Sequence, residues 1–134
     1  MMLKPGNIYS GNKNLAVLTN PTELAFHKGN LKNHYPIYYQ GQRWSDLEQA
    51  YLAHKENKSF NQRKILMIQL ISLKLLTYPK IFWTIHNSGG LDWIQQCCHI
   101  TSSNSQTWEG NGRDSAFIDC LYLAYEALIS IYES

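Results

Sequence analysis

At 134 residues, with a formal net charge of +2 and 16% charged residues, the chain is long enough for one domain with a real core. Its 44% hydrophobic content excludes a disordered chain, and the small net charge excludes a dedicated nucleic-acid-binding tail. Most positive residues fall between Lys4 and Lys64, an asymmetry that suits a phosphate-bearing partner on one side. No apolar run reaches the ~18 residues of a membrane helix, and the first residues lack a charged-then-apolar signal pattern. The expectation is therefore a cytoplasmic protein with no membrane contact. Three cysteines, two of them adjacent, make a poor disulfide framework and point to a reducing compartment. Cys97-Cys98-His99 lacks the gap that metal ligands need, so buried thiols are expected, with no metal and no cofactor.

In chain order, residues 1–14 are rich in Gly, Asn and Lys and read as an N-terminal arm. A single domain over residues 15–134 follows. Leu15-Ala-Val-Leu18 reads as a short buried strand stopped by Thr19-Asn20-Pro21. Thr22 to His27 suits one or two helical turns. The aromatic, β-branched run Tyr35 to Gln40 predicts a strand that Gly41 ends. Ser45-Asp-Leu-Glu48 has the capping-box pattern and predicts a helix from Ser45 to Lys55 or Lys58. Its buried side would carry Leu47, Ala50, Tyr51 and His54.

Phe60 to Thr77 is apolar most of the way round and predicts the central helix of the core. Pro79 suits the first position of a helix to about His86, stopped by Gly89-Gly90. Leu91 to Ile100 reads as another short helix, and Thr101 to Gln106 as a polar loop. A last helix from Ser115 to Tyr132 would bury Phe117, Leu121, Ala124, Leu128 and Ile131. The sum is an α+β domain, predominantly helical, with two or three short strands and helix over more than half of its length.

Glu48 and Lys55 stand two helical turns apart, so their directions differ by roughly 20°. Tyr51 lies beside both. Glu48 has two readings: the capping-box partner of Ser45, or a carboxylate at the rim of an apolar cleft where desolvation raises its pKa for proton donation. Lys55 is either a solvated helix charge or a substrate contact. The stretch Trp108-Glu-Gly-Asn-Gly-Arg-Asp-Ser115 precedes a helix. Its Gly110 and Gly112 backbone, the helix dipole and Arg113 suit an anion, and Trp108 suits stacking on a base. The plain alternative is a loop in which Asp114 or Ser115 caps the helix. Tyr35, Tyr38, Tyr39 and Trp44 form either a stacking wall or core packing. The five histidines make no nucleophile arrangement.

Leu18-Thr19-Asn20, Tyr35-Pro36-Ile37, Gly41, Trp44-Ser45, Glu48-Gln49-Ala50-Tyr51 and Lys55 together resemble the NADAR superfamily, the YbiA-like proteins. Trp108, Gly110, Gly112 and Asp114 look like that family's C-terminal segment, so the resemblance spans roughly residues 16 to 130. The Trp-Gly pair is interrupted here by Glu109, and Asp114-Ser115-Ala116-Phe117 replaces the family's Asn-x-Leu-Gly. The resemblance implies hydrolysis of a bond between a ribose and a nitrogen, in an ADP-ribosyl-type nucleotide or an ADP-ribosylated nucleobase. ADP-ribosylated nucleic acid is then a wider partner. Glu48 would handle the proton; Lys55, Arg43 or Arg113 would clamp phosphate; Trp44 or Trp108 would carry the base. Asn20, Tyr51, Gly110, Gly112 and Asp114 would complete the binding site. Two other classes stay open: a module that binds such a nucleotide without cleaving it, and a helical interaction protein with a degenerate pocket.

Overall fold

The computed structural model describes residues 2–101 and 107–133; beyond Thr101, the polar loop expected up to Gln106 lies outside the described residues. Residues 2–14 are irregular, as their composition predicts, but they are tied into the domain. The Ile8 N–H donates to the Cys98 carbonyl (2.8 Å) and the Cys98 N–H to the Gly6 carbonyl (3.0 Å). Trp93 Nε1–H donates to the Leu3 carbonyl (2.7 Å), and Ile8 is fully buried.

Leu15 to Leu18 is a correction to the expected strand. The N–H groups of Leu18 and Thr19 bond back to Leu15 and Ala16 rather than to a neighbouring strand, which winds Ala16–Leu18 into a 3-10 turn. The turn still buries Leu15, Ala16 and Leu18. Helix α1 follows at Thr22–His27. The aromatic strand β1 (Ile37–Tyr39) pairs antiparallel with β2 (Gln42–Trp44). Gln40 (φ 51°) and Gly41 (φ 77°) both take left-handed backbone, the two-residue turn that suits the twist of a hairpin.

Helix α2 (Leu47–His54) starts one residue later than the capping-box pattern predicts. Asp46, not Ser45, is the N-cap: its Oδ1 accepts the Gln49 N–H at 3.0 Å, while Ser45 is exposed. The reason is tertiary. Asp46 Oδ2 also accepts the Glu23 N–H (3.0 Å), so this buried carboxylate stitches the start of α1 to the start of α2. A real capping box opens α3 (Phe60–Thr77), where Ser59 and Gln62 satisfy each other's backbone N–H. Thus Glu48 is released from any capping role.

Helix α3 buries Leu66, Met67, Leu70, Ile71, Lys74 and Leu75, and leaves Ile65 and Leu76 exposed. Pro79 sits in the first turn of α4 (Pro79–Ser88), which Gly89 and Gly90 end. Helix α5 (Leu91–Gln95) is shorter than expected. The chain after it becomes β3 (Cys98–His99), which pairs antiparallel with β4 (Gly110–Asn111) and bridges Asn7 on its other side. Partners far apart in sequence thus override the local helix pattern.

Helix α6 (Ala116–Tyr132) begins at Ser115, whose Oγ accepts the Ile118 N–H at 3.1 Å. Phe117, Leu121, Ala124 and Leu128 are buried, but Ile131 is 56% exposed because the last turn runs off the core. Helices α3 and α6 pack along each other and carry most of the core. Among the described residues the fold is α+β, 55% helical with the 3-10 turns counted, with two small antiparallel sheets of two strands each. No helix among the described residues is long and apolar enough to cross a membrane.

Candidate functional site

Thr19 and Asn20, just after the 3-10 turn, are held from two sides. Lys74 Nζ, on buried α3, donates to the Thr19 carbonyl at 2.7 Å. The Glu48 N–H donates to the Asn20 carbonyl at 3.3 Å. These bonds set Asn20 against the first turn of α2. Burial pulls the Lys74 ammonium down to about 7, partly opposed by the nearby Asp46 carboxylate.

Asn20, Glu48, Tyr51, Lys55 and Trp108 line one hollow of about 400 Å³, together with Arg63, Met67, His99 and Phe117. A second hollow of about 560 Å³ adjoins it and shares Asn20, Glu48, His99 and Phe117. Lys28, Ser10, Tyr9 and Asn7 line that side, with Lys28 Nζ donating to Ser10 Oγ at 2.7 Å. Glu48 therefore stands where the two hollows meet.

Burial, then the neighbouring Asp46, raises the Glu48 carboxyl above its ordinary 4.5, against the pull of Lys55. Burial raises the Tyr51 phenol too; Arg63 opposes this and Glu48 adds to it, so the three groups sit within one another's fields. Tyr51 and Trp108 meet edge to face at 5.9 Å, and Phe60 backs Trp108 at 5.7 Å. Ser115 Oγ–H holds the Trp108 carbonyl at 2.6 Å, which anchors the tryptophan to the start of α6.

Two residues that line this hollow each carry a buried polar atom with no hydrogen-bond partner among the described residues: Asn20 Oδ1 and Arg63 Nε. A third such atom, Thr22 Oγ1, lies on α1. Asn20 Nδ2 meets only the Met67 sulfur, at 3.3 Å. An unmade buried hydrogen bond costs about 1–3 kcal/mol, so such atoms are rare.

Comparisons with protein-family models, curated proteins and solved structures give no match.

The other residues singled out from the sequence lie apart from this hollow. Arg43 is exposed on the hairpin, and Trp44 donates through Nε1–H to the Tyr39 carbonyl (3.3 Å) with its ring edge-on to His54. Gly110 pairs with His99 across the small sheet. Gly112 (φ 53°) gives its N–H to the Cys97 carbonyl, and a Cβ there would come within 2.7 Å of the Gln95 oxygen. This glycine lets two backbones touch. Arg113 Nε–H donates to Asp119 at 2.6 Å, and its guanidinium lies 4.0 Å from the Tyr122 ring centre. The bond to Asp119 holds the Arg113 pKa up. Asp114 is exposed and leaves the capping of α6 to Ser115.

Arg63 and His99 are the site residues that sequence reasoning missed. Arg63 had a visible signal. Arg63, Met67, Leu70 and Lys74 fall on one face of α3, so a charge stands at each end of a buried stripe. His99 had none, because its place depends on the pairing of β3 with β4. The ring donates through Nδ1–H to the Ile8 carbonyl (2.7 Å), which leaves Nε2 as the acceptor of the neutral imidazole. Among the described residues, no group of three or more His, Cys, Asp or Glu could hold a metal ion.

Proposed function

We propose that the chain hydrolyses the bond between a ribose and a nitrogen heterocycle, in an ADP-ribosyl-type nucleotide or an ADP-ribosylated nucleobase, as its resemblance to the NADAR superfamily implies. The observation that carries this reading is the Glu48 carboxyl: half-buried, raised in pKa and set at the junction of two hollows. In its protonated form it gives its proton to the leaving nitrogen as the bond from the anomeric carbon breaks. The resulting carboxylate faces the oxocarbenium-like sugar and then takes a proton from the water that attacks it. Water oxygen ends on the sugar and the heterocycle leaves with the proton, so Glu48 is restored. Asn20 lines both hollows beside it. Tyr51 and Trp108 give a flat ring a wall to lie on.

A second reading, a module that holds the nucleotide without cleaving it, draws support from Glu109. This other carboxylate of the hollow is engaged by the Thr101 N–H (2.8 Å) and hydroxyl (2.5 Å), so it is held rather than free to act as a second acid. Labelled ADP-ribosyl-guanine separates the two. The hydrolase reading expects release of labelled ADP-ribose by the natural chain and a loss of ~10²–10⁴ in rate for Glu48→Gln. Binding without release, equal in both proteins, would leave only the module.

A further inference from the structure

The buried face of α3 runs Leu66, Met67, Leu70, Ile71, Lys74 and Leu75, and Lys74 is the one ionisable side chain in it. It is 3% exposed. Taking an ammonium out of water is costly, and the cost shows as a pKa pulled from the ordinary 10.5 down to about 7. A methionine or leucine would fill the same space without that cost. The apolar core does not call for an amine here; what the amine does is hold a carbonyl. Nζ donates to Thr19 O at 2.7 Å, and that carbonyl belongs to the peptide leading into Asn20. Met67, two turns before Lys74 on the same face of α3, meets Asn20 Nδ2 through its sulfur at 3.3 Å. From the other side the Glu48 N–H donates to the Asn20 carbonyl. Asn20 is thus fixed between α3 and α2, and its side chain lines both hollows.

We propose that Lys74 is a positioning residue of the candidate site: from inside the core it holds the Thr19–Asn20 segment against the first turn of α2, and so keeps Asn20 beside Glu48 where the two hollows meet. Lys74 lines neither hollow and touches no ligand; it acts through Thr19 and Asn20. An amine stands in an apolar stripe because the site needs its hydrogen bond, not because the core does. That Asn20 meets a nucleotide rests on the reading above; that Lys74 places Asn20 does not.

Amide hydrogen exchange, followed by NMR on the full chain with no ligand present, reads this placement. The Glu48 N–H depends on Asn20, whereas the Gln62 N–H, held by Ser59 in the first turn of α3, does not. Lys74→Met is expected to speed exchange at Glu48 at least about tenfold relative to Gln62. Ile85→Ala, a core cut on α4 outside this chain of contacts, is expected to leave that ratio unchanged. A ratio in Lys74→Met equal to that of the natural chain overturns the proposal, as does an equal shift in Ile85→Ala. If Lys74→Met does not fold, Lys74→Leu removes the same donor and decides. Calorimetry with ADP-ribose then reads the consequence for the site: folded Lys74→Met is expected to bind at least about tenfold more weakly than the natural chain, and Ile85→Ala about as well. Equal affinity of Lys74→Met and the natural chain overturns the role of Lys74 in the site. Failure of the nucleotide reading shows itself separately: the natural chain binds no ADP-ribose, while the Glu48 exchange effect still upholds the placement of Asn20 by Lys74.

Discussion

Half-buried Glu48 and buried Lys74 shift in opposite directions and shape the pH behaviour of the molecule. Glu48 has a folded pKa above its ordinary 4.5, so the unfolded chain releases this proton first. The contribution of Glu48 to stability is therefore largest below pH 4.5 and is lost as pH rises through the folded value. Glu48→Gln removes that loss. Denaturant melts should show the variant more stable than the natural chain at pH 7, with the gap closing below pH 4.5. If Glu48 is the acid, the rate of the natural chain falls as pH rises through the same folded value, and Glu48→Gln flattens that limb.

Lys74 behaves in the opposite sense. Its folded value of about 7 lies below the ordinary 10.5, so between these limits the unfolded chain binds the extra proton and stability rises with pH. The buried thiols of Cys97 and Cys120, pushed up to about 11 and about 12, act the other way above pH 9. The Lys74 effect is isolated by difference. The stability of the natural chain minus that of Lys74→Met should climb from pH 7 towards pH 10.5, with a slope of at most ~1.4 kcal/mol per pH unit. A flat difference would mean that Lys74 keeps its charge in the folded state.

Among the elements, α2 matters most because it carries Glu48, Tyr51 and Lys55 to one hollow. Their spacing was legible in the sequence, since helical period alone places them on one side. Its start was not. Ser45 and Asp46 are both good N-caps, and the choice is made by the Glu23 N–H of α1, a partner that no local pattern contains. Thermal or denaturant melts distinguish the two caps. Ser45→Ala should change stability by less than about 0.5 kcal/mol. Asp46→Ala should cost at least ~1–2 kcal/mol, because it strips the α2 cap and the stitch to α1 together. The real capping box predicts about 1 kcal/mol for Ser59→Ala. The strand expected over Leu15 to Leu18 failed for a related reason: four apolar residues fit a buried strand or a buried turn equally well, and tertiary partners decide.

Across the whole molecule, the predominantly helical α+β frame was legible because α3 and α6 are long and strongly periodic. Leu70, fully buried at their seam, should cost about 2–5 kcal/mol as Leu70→Ala, read as a fall in the melting midpoint. Half of the candidate site was legible too: Asn20, Glu48, Tyr51, Lys55 and Trp108 were singled out and the fold brings them together. The glycine-rich stretch misled because its anion-binding look has a backbone cause. Gly112 passes under the Gln95 carbonyl and Gly110 joins β4 to β3. Arg63 and His99 reach the hollow only through the packing of α3 and the docking of residues 2–14 against Cys98.

Glu48 is the point on which these scales converge, and its carboxyl carbon can be followed by 13C NMR through a pH titration with and without ADP-ribose. The account predicts a midpoint clearly above 4.5 in the free chain and a further displacement of the signal when ADP-ribose is added. A midpoint at 4.5 that does not respond to ADP-ribose would contradict it.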